Sequence, residues 1–233
     1  MTYGLPPTVE TNLNRPVMTK YWKARARQHT DDSYVGVRMS KWPEDLRVYE
    51  HLLWLAQPTV LIELGVQNGG STLWFRDRLL TMSRYTGRPP ATIVAVEIDD
   101  TLARETIERL DPSWENITLL QGDVTDPDLP ARVREHVPDN AVCMVIEDTA
   151  HVYDTTLKAL EGFADFVPPG GFFVVEDGSC DVEDLRLPRW PRGVLPALHD
   201  WLETEAGQQF DVRRDLELYG LTCHPEGFLQ RRT

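Results

Sequence analysis

Thr59-Val60-Leu61-Ile62-Glu63-Leu64-Gly65-Val66-Gln67-Asn68-Gly69-Gly70-Ser71 passes from a short apolar run into a glycine-rich turn. Val, Leu and Ile in close succession suit a strand buried on both faces. The glycines permit a tight turn and a close approach to the backbone. Ser71 is placed to cap a following helix. Strand, glycine turn and helix in that order open a βαβ unit.

The flanking sequence continues the alternation. Upstream, Pro43–Ala56 has helical periodicity, with Leu46, Tyr49, Leu53 and Trp54 on one face and Pro58 as the stop. Downstream, apolar runs at 92–98, Ile117–Gln121, 141–146 and 171–175 read as further strands. Helical stripes at 100–110 (Ala103, Ile107, Leu110) and 155–167 (Leu157, Leu160, Ala164, Val167) lie between them. Near the end, 209–214 and 228–232 read as two strands with no convincing helix between, which predicts an antiparallel edge. The expected architecture is a doubly wound, mostly parallel, seven-stranded α/β sheet of Rossmann-like type over residues 43–233. Residues 1–42 precede it. They hold Pro6, Pro7 and Pro16 without sustained periodicity, and read as an irregular arm docking on the body or on another subunit.

A chain of 233 residues is long enough for a substantial core. With 24 Lys and Arg against 37 Asp and Glu, the net charge of -13 argues against a nucleic-acid partner. Lys20, Lys23, Arg25 and Arg27 read as a solvated helix face or an oligomer contact before an anion site. No run approaches the ~20 apolar residues of a membrane span, and no basic start leads into an apolar stretch. The three cysteines, Cys143, Cys180 and Cys223, have no metal-ligand spacing. Reduced thiols in a cytoplasmic protein are the expectation.

In such a sheet, ligands bind beyond the carboxyl ends of the strands, near the topological switch point. Glu63-x-Gly65-x-x-x-Gly69-Gly70-Ser71 is not the dinucleotide form Gly-x-Gly-x-x-Gly. An acid before the first glycine would repel a pyrophosphate but suits the amino-acid ammonium of S-adenosylmethionine. The second strand ends Glu97-Ile98-Asp99, where a carboxylate suits a ribose diol. The third ends Gln121-Gly122-Asp123, with Asp123 placed to accept from an adenine amino group. Each is ordinary strand-end polarity by itself; together they point to a cofactor site. Gly65, Gln67, Asn68, Gly69 and Ser71 are its expected backbone and turn contacts.

Two acidic pairs, Glu147-Asp148 and Glu176-Asp177, close the fourth and fifth strands and should face one crevice. Carboxylates crowded together repel unless a cation or protons intervene. Their hard oxygens favour Mg²⁺, Mn²⁺ or Ca²⁺. A metal lowers the pKa of a bound hydroxyl, and His151 is the best-placed base to take the proton. The plainer alternative is that Glu147 and Asp148 cap the next helix and His151 packs on it.

The blocks 36–39, 62–71 and 74–77 resemble the cephalosporin hydroxylase family, as do 115–123 and 174–177. This family includes rhamnosyl and other sugar O-methyltransferases of bacterial natural-product pathways, some of them in antibiotic biosynthesis. The likeness runs from about residue 34 to 180. It implies a class I methyltransferase fold with S-adenosylmethionine at the 63–71 loop. It also implies Mg²⁺ on Asp148, Glu176 and Asp177, with Asp148 bordering the cofactor and joining His151 in catalysis. One extra residue before His151 leaves Glu147 as a rival for Asp148. Family members are often oligomers, so a homo-oligomer is expected.

The leading functional expectation is methyl transfer to a hydroxyl of a small metabolite, a sugar or a glycosylated natural product. An acceptor pocket built from the arm and 178–192, with Trp190, would go with it. A hydroxylase component is the second class, but its iron needs two histidines and a carboxylate. The only His-x-Glu, His224-Pro225-Glu226, reads as a loop at the far edge of the sheet. A non-catalytic methyltransferase-like subunit is the third.

Overall fold

The computed structural model describes residues 15–233. Pro6, Pro7 and the first part of the arm lie outside the described residues. Within the described part, the arm is more ordered than its sequence suggests. It forms helix α1 (Arg15–His29) and a hairpin of β1 (Ser33–Tyr34) and β2 (Val37–Arg38). Pro16 is the second residue of α1, where no backbone N–H is required. The helical pattern is faint because its anchors are few: Trp22 and Ala26, one turn apart, are buried.

Tertiary packing holds α1 in place. The Trp22 ring stacks on Trp42 with centroids 4.1 Å apart, and its Nε1 donates to the Leu185 carbonyl at 2.8 Å. Arg25 is bound to Glu44, whereas Lys20, Lys23 and Arg27 are exposed on this chain. Trp22→Phe keeps the apolar contact but deletes that donor. The expected cost is about 1 kcal/mol, a fall of roughly 2–4 °C in the thermal midpoint.

The body begins with α2 (Pro43–Ala56), β3 (Val60–Leu64) and α3 (Gly70–Thr86). Then come β4 (Thr92–Glu97), α4 (Thr101–Leu110), β5 (Ile117–Gln121) and α5 (Leu129–Arg134). β6 (Cys143–Glu147), α6 (Tyr153–Phe163), β7 (Phe172–Val175) and α7 (Val194–Leu202) follow. β8 (Phe210–Val212) and β9 (Phe228–Arg231) finish the chain. The seven-stranded sheet has the order β5-β4-β3-β6-β7-β9-β8. Strands β3 to β7 pair in parallel, and β9 and β8 pair antiparallel at one edge. This is the expected doubly wound architecture. Short α5 and α7 carry too few turns to stand out as periodic sequence.

Side chains alternate between two cores. Leu61, Ala95, Met144 and Val174 face α2 and α3, whereas Ile62, Val94, Val145 and Phe173 face α6 and α7. Strand order reverses at β3, with β4 on one side and β6 on the other, and a cleft opens there. Gly65 makes that junction possible: its φ is 89°, and a Cβ would lie 1.9 Å from the Asp148 carbonyl oxygen. Gly70 has the same purpose for the arm, since a Cβ there would lie 2.5 Å from the Arg38 carbonyl oxygen.

Candidate active site

A cavity of about 430 Å³ lies beyond the carboxyl ends of the parallel strands. Gly65, Gln67, Ser71, Glu97 and Asp123 line one end, Asp148, His151 and Asp177 another, and His29, Trp190 and Pro191 a third. The two strand-end groups singled out in the sequence therefore share one space. The arm and the 178–192 segment also meet there, with His29 edge-on to Trp190 at 6.5 Å.

At the glycine turn, Glu97 is the organising residue. Its carboxylate accepts from the N–H groups of Val66 at 2.8 Å and Gln67 at 2.6 Å, tying β4 to the loop. Asp123 accepts from the Thr125 N–H and hydroxyl, both at 2.8 Å, and borders the cavity. Asn68 and Gly69 shape the turn without lining the cavity; Gly69, at φ 82°, leads into α3. Asp99 departs from expectation. It is exposed, accepts from the Thr101 N–H at 3.2 Å and does not line the cavity. Glu63 departs too: it is fully buried and accepts a hydrogen bond from the Thr72 hydroxyl at 2.5 Å. It braces the first turn of α3 from behind and does not reach the cavity.

Strand alternation separates the rival acids. Glu147 falls on the α6 side, fully buried, and accepts from the Thr149 N–H and hydroxyl. Asp148, the next residue, turns to the α2 side. It shares that side with Glu176, which the β6–β7 register places beside it. Asp148, His151 and Asp177 each offer a ligand atom, all within 4.8 Å of one another. His151 Nε2 lies 3.3 Å from Asp177 Oδ2 and 3.7 Å from Asp148 Oδ1. Glu176 is the expected ligand that does not join this group. It is buried, with Oε1 accepting from the Tyr49 hydroxyl and Oε2 from Lys41, each at 2.5 Å.

The electrostatics follow from crowding. Burial first, and then the Glu176 carboxylate, push Asp148 up to about 7, against the pull of Lys41 and His151. Burial would depress His151, but Asp177, Asp148 and further carboxylates outweigh it and hold the imidazole above its usual value. Asp177 moves down despite its burial, through His151, His224 and Lys41.

Three residues here escape the sequence reading. Lys41 sits in a segment read as irregular, two residues beyond the recognisable 36–39 block. Tyr49 reads as an apolar helix position because its ring is one; its hydroxyl, which donates to Glu176, gives no periodic signal. His224 is not at the far edge. The last strand, β9, inserts between β7 and β8, which brings the preceding loop against the end of β7. His224 Nδ1 accepts from the Asp177 N–H at 3.0 Å, and Nε2 lies 3.7 Å from Asp45 and 3.9 Å from Glu176. Even so, the metal-competent group among the described residues holds one histidine and two carboxylates, not the iron-binding pair of histidines.

A model of the rhamnosyl O-methyltransferase/CmcI family matches residues 26–232. The chain belongs to this family. As a rhamnosyl O-methyltransferase/CmcI member it is a methyltransferase enzyme. It is 24% identical over 204 residues to a rhamnosyl O-methyltransferase of Mycobacterium leprae, covering 86% of this chain and 83% of that one. A solved structure of CmcI with Mg and SAM has a TM-score of 0.61 at 23% identity, over 88% of this chain and 78% of that chain. MycE, solved with Mg, SAH and mycinamycin VI, has a TM-score of 0.50 at 19% identity, over 79% of this chain and 48% of that chain. At these identities the superpositions establish the fold. Among the described residues no helix is long and apolar enough to cross a membrane.

Proposed function

We propose that this chain transfers the methyl group of S-adenosylmethionine to a hydroxyl of a sugar or glycosylated metabolite, with Mg²⁺ held by the Asp148 and Asp177 carboxylates beside His151. One observation carries the reading: a single cavity joins the glycine turn to that group. The fold neighbours solved with Mg and SAM or SAH, and the rhamnosyl relatives, support the choice of donor, ion and acceptor class.

The residues fit a divalent ion. Two hard carboxylates converge with an imidazole, and Asp148 is pushed up by burial and then by the neighbouring Glu176 carboxylate in spite of Lys41. A bound ion would supply Lewis acidity, lowering the pKa of an acceptor hydroxyl beside it. The chain does the rest. The glycine turn and Glu97 hold the donor at one end. His29 and Trp190 wall the acceptor side, where an aromatic face suits a sugar. His151 stands beside the Asp148 and Asp177 carboxylates as the base placed to accept the hydroxyl proton. The acceptor oxygen forms its bond to the methyl carbon as the carbon–sulfur bond breaks, leaving S-adenosylhomocysteine. Asp177 stabilises the imidazolium that results.

The test is direct: incubate the protein with S-adenosylmethionine, Mg²⁺ and a panel of rhamnosides and other hydroxyl acceptors, and follow methylation by mass spectrometry. A methylated glycoside is expected. Tight donor binding with no product on any acceptor would favour the non-catalytic role. Glu97→Ala removes the clamp on the 66–67 turn, and should weaken donor binding by about tenfold or more in calorimetry.

A further inference from the structure

We propose that Arg38 is the cation that receives the amino-acid carboxylate of S-adenosylmethionine. This rests on the donor reading above. Four acidic side chains, Glu97, Asp123, Asp148 and Asp177, line the cavity. A carboxylate entering such a space is repelled unless a cation faces it. Among the described residues, Arg38 and Lys41 are the Arg and Lys side chains that border the cavity. Lys41 is already committed: it is buried, and its Nζ lies 2.5 Å from both Asp148 Oδ2 and Glu176 Oε2. Arg38 is exposed and open to a ligand.

The hairpin of the arm brings Arg38 to the end of the cavity where that carboxylate belongs. Arg38 pairs with Ser33 across β1 and β2, and the Tyr34 hydroxyl donates to Asp77 Oδ2 at 2.7 Å, docking the hairpin on α3. The Arg38 carbonyl lies against Gly70 in the first turn of α3, and Ser71, the next residue, borders the cavity. Glu97 and Asp123 serve the ribose and adenine, so the amino-acid end of the donor falls towards this first turn. Arg38 Nε donates to the Thr30 carbonyl at 2.8 Å, which fixes the plane of the guanidinium. Its two terminal nitrogens have no partner among the described residues. Their parallel N–H groups match the two oxygens of a carboxylate.

Two ligands that differ only at the carboxylate test this in the full chain: S-adenosylhomocysteine and its carboxamide, each titrated by calorimetry into wild type and Arg38→Gln. Wild type should bind S-adenosylhomocysteine about tenfold or more tightly than the carboxamide. Arg38→Gln should abolish that preference by weakening S-adenosylhomocysteine alone, and Arg38→Lys should restore part of it. Equal affinity of wild type for the two ligands overturns the proposal. So does a variant that weakens both ligands equally, which would make Arg38 a support of the hairpin. A variant with unchanged affinity for S-adenosylhomocysteine but a raised KM for an acidic acceptor also overturns it, and assigns the cation to the acceptor. If wild type binds neither ligand, the donor reading itself falls. If it binds both alike, that reading stands and only the role of Arg38 is lost.

Discussion

Asp177→Asn is expected to lower the turnover number by about 10²- to 10³-fold while leaving donor affinity within roughly threefold. The backbone argues that the fold survives. Asp177 has φ 58°, in the left-handed region where Asn is as well tolerated as Asp. Its N–H, which donates to His224, is untouched. What changes is charge. The amide cannot balance an imidazolium on His151, 3.3 Å away, and removes one of two carboxylates from the metal-competent group. Initial rates of S-adenosylhomocysteine formation, with donor calorimetry alongside, separate the two effects. Equal losses in binding and turnover would place Asp177 in donor recognition.

Gly65→Ala is expected to have a larger effect on the folded state than any other single methyl addition at the site. A Cβ would meet the Asp148 carbonyl oxygen at 1.9 Å, and φ is 89°. Backbone, not a flexible side chain, stands in the way, and the contact joins the ends of β3 and β6. Strain and steric conflict together should cost about 4 kcal/mol or more, a drop of roughly 10 °C or more in the thermal midpoint. Because the obstructing oxygen belongs to Asp148, any relaxation also displaces the metal-competent group. Scanning calorimetry on Gly65→Ala checks this; a midpoint within about 2 °C of wild type would show that the two strand ends are less tightly joined than described.

How much of this was legible in the sequence depends on whether the signal was local. The parallel strands are dense apolar runs, so their order and the glycine turn could be read directly. The antiparallel edge could be read too, from strands without a helix between them. Helix α1 could not, because one aromatic and one small anchor, Trp22 and Ala26, hold it against Trp42 and against partners more than a hundred residues away. Asp148 against Glu147 was decidable by alternation: counting from Met144 and Ile146 on the α2 side puts Asp148 there as well. The extra residue before His151 obscured that simple count.

Ligand assignment at β7 shows the opposite limit. A sequence places Glu176 and Asp177 at a strand end but does not say what else arrives there. Lys41 comes from the arm, Tyr49 from α2 and His224 from the loop before β9. The first two claim both oxygens of Glu176. Asp99 lies outside the cavity for a local reason: its exposed carboxylate accepts from the Thr101 N–H just before α4.

The most direct test of the central claim is methyl transfer from labelled S-adenosylmethionine to a rhamnoside, measured on rigorously metal-stripped protein and again after Mg²⁺ is restored. Donor affinity should be the same in both states, since the glycine turn and Glu97 carry no metal ligand. Turnover should fall at least about a hundredfold on stripping and return with Mg²⁺. Undiminished turnover in the stripped protein would contradict the assignment of Asp148, His151 and Asp177 as a metal-assisted centre.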